Sequence, residues 1–297
     1  MRSAAYKSAN AFVPSLLKGG GAARCIRRGS SSLIIFRLTV ALKFLNDIIS
    51  FKVIHMKAKK IPRYLLIAVL LAVFLFSLYN VAVLAKGFID MNKELKQIQT
   101  EFIVDEDVSD GGIEIRWEEL LKKNSDVVAW IDIPGTNISY PVVQGKDNDE
   151  YLRHNLDKEY SKKGSIFVDS SNKKPFYDYN TVVYGHNLMN SSMFSELRKY
   201  TKQSFADENG SVYIYFPNGA SLEYKVVSFH KIDAVNNDAF YKTGILDRAA
   251  FLSLIKQNNY LEYNVDDSDV ISVLTLSTCT NYNKNERYIL NAVLLDR

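Results

Sequence analysis

The sequence predicts a mainly β domain with helical insertions, closed into an eight-stranded β-barrel and preceded by an N-terminal membrane-spanning helix. Three observations carry this. Eight short runs rich in β-branched and aromatic residues follow one another after residue 126, punctuated by turn signals. Far upstream, Tyr64 to Ala85 runs for 22 residues without a charged side chain. Between late turns, Val270 to Asn281 reads V-I-S-V-L-T-L-S-T-C-T-N, an apolar run that alternates into Ser and Thr and delivers Cys279 to its end.

The chain has 297 residues, 47% of them apolar, and so holds one or two domains with a sizeable core. Its net charge of +4 is an average over unlike parts. Residues 1–55 carry nine Lys or Arg against the single acid Asp47, and Lys57, Lys59, Lys60 and Arg63 add four more cations. Residues 64–297 are therefore left at −8, an acidic domain that does not suit nucleic acid.

At about 1.5 Å per residue the uncharged run spans roughly 33 Å, enough to cross a bilayer core. Its basic flank at 56–63 is expected to stay cytoplasmic, which puts the rest of the chain outside the cell as a single-pass protein. A cleaved signal peptide ending at Val83-Leu84-Ala85 is the competing reading. Residues 1–55 fit nothing downstream. Arg37, Lys43, Asp47 and Lys52 break their apolar stretch, so they read as a basic leader or as an over-extended start ahead of Met56.

Beyond the span, residues 86–112 read as a stalk, helical at first because Met91, Leu95 and Ile98 recur at helical spacing. Ser109-Asp110-Gly111-Gly112 breaks the chain, and the domain occupies 113–297. Ile115 to Lys123, with Trp117, Leu120 and Leu121 on one face, is an amphipathic helix. Strands are expected at Val127–Ile133, Ile138–Val143, Ser165–Asp169, Thr181–His186, Ser211–Phe216, Ser221–Asp233, Val270–Thr275 and Arg287–Leu295. Pro134-Gly135, Asn209-Gly210 and Pro217-Asn218-Gly219 supply turns. Helical insertions are expected at Asn148–Asn155, Ser192–Tyr200 and Arg248–Asn258.

Three of the strands would each carry one reactive group near an end: His186, Cys279 and Arg287. A thiol attacks a carbonyl as thiolate, and an unperturbed pKa of about 8.5 leaves little thiolate at neutral pH unless a cation lies close. An imidazole could move the proton, and a guanidinium could hold a developing oxyanion through paired N–H donors. Each residue also has a plain structural role open to it: buried small hydrophobe, satisfied histidine, ion-paired strand end. His55, His154 and His230 read as leader context, helix end and strand surface. Cysteine and histidine pairs at metal-ligand spacing are lacking, so neither a metal nor a cofactor is expected. The domain holds no second cysteine to pair with Cys279, which would leave its thiol unpaired in an oxidising location.

The motifs around these residues carry a resemblance. Thr275-Leu276-Ser277-Thr278-Cys279, with Arg287 eight residues on, closely resembles the T-L-x-T-C signature of sortases. Val183-Tyr184-Gly185-His186-Asn187 resembles the family's histidine site. Val142 to Asn148, Glu150-Tyr151-Leu152, Lys163-Gly164-Ser165-Ile166-Phe167-Val168-Asp169 and Met193-Phe194 occur in the same order as in class B sortases. The resemblance covers roughly Trp117 to the C-terminus. It implies a sortase-like closed eight-stranded barrel and a membrane-anchored cysteine transpeptidase. Such an enzyme cleaves a C-terminal sorting signal of a secreted protein after its threonine and passes the acyl group to an amine of a cell-wall (peptidoglycan) precursor. By matched position Cys279 is the nucleophile, His186 the general acid and base, and Arg287 the oxyanion and substrate clamp. Asn148, Leu152 and Ser277 match the signal groove, and Phe240 and Tyr241 lie in a loop that closes it. Thr280 and Asn281 stand where relatives often carry an acid. A cysteine hydrolase, with water resolving the acyl-enzyme, and a non-catalytic tethered binding domain are the alternatives.

Overall fold

The computed structural model describes residues 63–105, 112–188, 191–280, 283 and 285–296. The leader at 1–55 and Asn281 lie outside the described residues.

Helix α1 (Arg63–Phe102) runs unbroken for 40 residues. Its segment Tyr64–Gly87 is long and apolar enough to cross a membrane, and none of it is buried against the domain. The far end docks. Phe102 is buried in the core, and Gln99 Nε2 donates to the Ser139 carbonyl at 3.0 Å. The Arg116 amide closes on Phe102 O at 2.8 Å. Strand β1 (Ile103–Asp105) then pairs antiparallel with β2 (Glu114–Ile115). Helix α2 (Trp117–Lys123) places Glu118 and Glu119 in its first turn and Lys122 and Lys123 in its last, each sign complementing the helix dipole. Leu120 is its buried anchor.

Eight strands follow: β3 (Val127–Ile133), β4 (Ile138–Val143), β5 (Ile166–Val168), β6 (Asn180–Tyr184), β7 (Ser211–Tyr215), β8 (Ser221–Asp233), β9 (Val270–Cys279) and β10 (Glu286–Leu295). They close into a barrel in the order β10-β8-β7-β3-β4-β5-β6-β9, the eight-stranded barrel that the sequence predicts. Closure pairs every edge, which removes the unsatisfied rows an open sheet would present. Two junctions are parallel, β4 with β5 and β6 with β9; the other six are antiparallel.

The period of two along each strand divides the apolar residues into two cores. Ala129, Ile131, Val142, Val183, Leu274, Leu276 and Leu290 fill the barrel. Trp130, Val182, Tyr184, Val273 and Ile289 point the other way and are covered by Phe102, Leu120, Leu152, Tyr241, Phe251 and Ile255. This outer core is why β3, β4, β5 and β10 carry apolar residues on both faces. Helix α4 (Arg248–Lys256), capped by Asp247 accepting from the Ala250 amide, contributes much of the cover.

Two expected helices differ. Residues 148–155 form turns: Asp147 Oδ1 caps the amides of Asp149 and Glu150, but the Glu150 carbonyl meets the His154 ring Nδ1 and the Tyr151 carbonyl accepts from the Ser165 amide, so neither is left for an amide four residues on. His154 therefore ends no helix and instead makes an isolated bridge with Tyr160. The segment at Phe194–Thr201 is a 3-10 helix, followed by α3 (Gln203–Glu208). His230, read as a strand-surface residue, is buried with its ring 5.0 Å from that of Phe240.

Candidate active site

Strand register brings the three reactive residues together. In the β9–β10 ladder Arg287 stands directly opposite Cys279, so both side chains leave the same face of the sheet. In the parallel β6–β9 ladder Tyr184 stands beside Ser277, and the Gly185 amide extends the pairing to Ser277 O at 3.1 Å. His186 and Cys279 each lie two residues beyond this pair, at neighbouring strand ends. Asn187 ties those ends together, its Nδ2 donating to the Cys279 carbonyl at 2.6 Å. Three groups scattered over a hundred residues of chain thus occupy adjacent strand ends, on the outer face of the barrel.

Gly185 explains how the turn into His186 is made. A Cβ there would stand 2.6 Å from the ring of Phe194, which is fully buried, so only glycine admits the close approach. Gly164 has the same character in the Lys163-Gly164-Ser165 turn, with φ of 57° and the carbonyls of Tyr151 and Leu152 at 2.6 Å from an added Cβ.

The His186 ring nitrogen Nε2 lies 3.0 Å from the Leu152 carbonyl. A carbonyl only accepts, so Nε2 carries the hydrogen and Nδ1 is left to take a proton. Burial pulls the imidazole pKa below its usual value; the Leu152 carbonyl opposes this, and the Arg153 charge adds to it. At neutral pH the resting ring is neutral, which leaves Arg287 as the standing cation of the site. The Arg287 guanidinium is nearly buried, and burial lowers its pKa somewhat, against the pull of Tyr241, Tyr184 and Asp233. A guanidinium survives such a shift fully charged. Cys279 closes β9 with 9% of its surface exposed, and the other cysteine, Cys25, lies outside the described residues.

Around these groups the expected groove residues divide. Ser277 shares the face of Cys279, and its Oγ lies 3.2 Å from the Tyr241 hydroxyl. Leu152 is buried and meets His186 through its carbonyl. Asn148 is one step removed, its Nδ2 donating to Asp169 Oδ2 at 2.9 Å. The ring of Phe240 packs on His230, away from its neighbour Tyr241, while the Phe240 carbonyl accepts from Asn180 Nδ2. Thr280, where relatives often carry an acid, donates its hydroxyl to Glu286 Oε2 at 2.7 Å. Sequence reasoning assigned no role to Tyr184, Asp169 or Asn187. The signal for Tyr184 was available, since a residue two before His186 on a strand shares its face.

Comparison with known proteins identifies the family. The sortase-domain family model matches residues 131–295. Sortase B of Listeria monocytogenes is 33% identical over 229 residues, covering 75% of this chain and 92% of the relative. Sortase B of Staphylococcus aureus is 34% identical over 167 residues, 55% of this chain and 67% of the relative. The crystal structure of Clostridium perfringens sortase B superposes with a TM-score of 0.55 at 34% identity, covering 60% of this chain and 99% of that one. The chain belongs to the sortase family, and within it to the class B cysteine transpeptidases. The tethered, non-catalytic alternative falls with that finding.

Proposed function

We propose that Cys279, His186 and Arg287 carry the transpeptidation in this chain. The observation that supports it most is the register that sets Arg287 opposite Cys279, with His186 at the neighbouring strand end. The Cys279 thiol gives its proton to Nδ1 of His186, and the sulfur attacks the carbonyl of a threonine within a C-terminal sorting signal. The new S–C bond forms, and the negative charge on the carbonyl oxygen meets the guanidinium fork of Arg287. As the C–N bond breaks, His186 returns the proton to the leaving amine. An amine of a cell-wall precursor then attacks the thioacyl group and gives a proton to Nδ1 of His186 as the C–S bond breaks, and the sulfur leaves as thiolate. Arg287 stabilises that thiolate throughout, since its charge does not depend on the state of His186.

Asn148, Leu152, Ser277, Phe240 and Tyr241 line or support the signal groove on this reading. The helix from Tyr64 to Gly87 anchors the protein as a single-pass span, with residues 56–63 cytoplasmic and the catalytic domain outside, where emerging substrates and wall precursors meet. Residues 86–112 join span to domain.

The test is a peptide assay on the reduced enzyme with and without an added amine. A ligated product that needs both Cys279 and the amine is expected. Cleavage that yields only the free acid at every amine concentration would make the enzyme a hydrolase. Protease treatment of intact cells is expected to remove the domain, and protection of the domain would reverse the orientation.

A further inference from the structure

Asp169 ends the Lys163 to Asp169 motif and is buried, 2% exposed, behind the site. A carboxylate there is tolerated only with its lone pairs engaged. Oδ2 accepts from the Tyr184 hydroxyl at 2.7 Å and from Asn148 Nδ2 at 2.9 Å. Oδ1 accepts from the amide of Ser171 at 2.8 Å and from its hydroxyl at 2.5 Å. All four partners donate, which engages both oxygens and fixes the orientation of the carboxyl group.

What Asp169 holds is itself part of the site. The Tyr184 ring lies between Phe167, with centroids 5.3 Å apart, and Tyr241, stacked at 6.0 Å and 19°. Tyr241 in turn reaches Ser277 Oγ. Ser277 is also the ladder neighbour of Tyr184 and lies two residues before Cys279 on the same face of β9. A rotation of Tyr184 therefore disturbs Tyr241 through the stack, and with it the contact to the strand end bearing Cys279.

We propose that Asp169 is a positioning residue of the transpeptidation centre: its carboxylate anchors the Tyr184 phenol and, through the Tyr184–Tyr241 stack and the Tyr241–Ser277 contact, steadies the strand end that sets Cys279 opposite Arg287. Asp169 touches neither substrate nor reacting atoms. It replaces water as the partner of a buried hydroxyl and keeps Asn148 beside the groove by the same oxygen. This rests on the assignment of Cys279, His186 and Arg287 above.

The experiment compares Asp169→Asn, Tyr184→Phe and the double variant in the reduced, full-length chain, by kcat and KM for a sorting-signal peptide and by thermal unfolding. Asp169→Asn puts an amide where two donors already point. Tyr184→Phe keeps the ring stack and removes only the anchored hydroxyl. Each is expected to lower kcat about 10- to 100-fold with a smaller change in KM, the scale of a slight misplacement of a catalytic group. The double variant is expected to be no worse than about threefold below the poorer single, because both break one link. A Tyr184→Phe enzyme with wild-type kcat, or losses that multiply in the double variant, would overturn the proposal. So would an Asp169→Asn enzyme that loses only thermal stability. If Asp169→Asn does not fold, Tyr184→Phe alone decides. Cys279→Ala run alongside separates the two claims. Turnover in that variant defeats the site assignment, whereas its inactivity beside normal Tyr184→Phe turnover defeats only the positioning role.

Discussion

Replacing Arg287 by Lys separates charge from geometry at the centre of the site. The side chain is only 6% exposed and stands across the ladder from Cys279, so a lysine there keeps a cation near the sulfur. It does not keep the planar fork. Arginine can place two parallel N–H groups on one oxyanion, while an ammonium presents a single point of charge on a flexible stem. Removing one well-aimed oxyanion donor costs roughly 10²- to 10³-fold in kcat, or about 3 to 4 kcal/mol. Arg287→Lys is therefore expected to lose about 100-fold in kcat on a fluorogenic sorting-signal peptide, with the pH profile of Cys279 alkylation little moved. Arg287→Ala should lose more and should also shift that alkylation profile to higher pH, since the cation that favours thiolate is gone. An Arg287→Lys enzyme within about threefold of wild type would refute a role for the fork, whatever the alanine variant does.

Three other expectations follow from the same geometry. Burial holds His186 below its ordinary pKa, so its NMR titration in the reduced enzyme should have a midpoint below about 6.5; a midpoint above that value would mean a standing imidazolium. His230 is buried against Phe240, and desolvation lowers its pKa to about 4 against the pull of the Asn258 and Ile255 carbonyls. Its neutral form favours the fold above the unfolded pKa of about 6.5, and roughly 3 kcal/mol of that should drain away as pH falls from there to about 4. Denaturant unfolding of His230→Phe should lack this part of the acid sensitivity; equal slopes in the two proteins would exclude the group. Gly185→Ala drives a Cβ into the Phe194 ring and should cost about 1–3 kcal/mol and much of the activity, read by thermal unfolding and peptide turnover. An unchanged Tm there would show that Phe194 yields freely.

The barrel was legible in the sequence because alternation and turn chemistry are local signals. Val127–Ile133, Ile138–Val143 and Ser221–Asp233 are strands at the expected bounds, and the others differ at their ends. Residues 148–155 read as helix, but the Tyr151 carbonyl pairs with the Ser165 amide, a contact that depends on where a later segment lies. His230 falls at an expected strand position, yet its burial depends on Phe240 and the cover formed by α4, which no strand period encodes. The reactive trio was legible as residue types, and the β9–β10 ladder together with the parallel pairing of β6 with β9 makes them neighbours. The same pairing hides Tyr184, Asp169 and Asn187, whose contacts join distant segments. Asn187 and Cys279 are 92 residues apart in sequence.

The central claim is that one sulfur carries the acyl group, and mass spectrometry of the reduced enzyme incubated with sorting-signal peptides tests it most directly. A covalent adduct mapped to Cys279, absent in Cys279→Ala and discharged by an amine, is the predicted result. An adduct on any other residue, or peptide cleavage by Cys279→Ala, would contradict it.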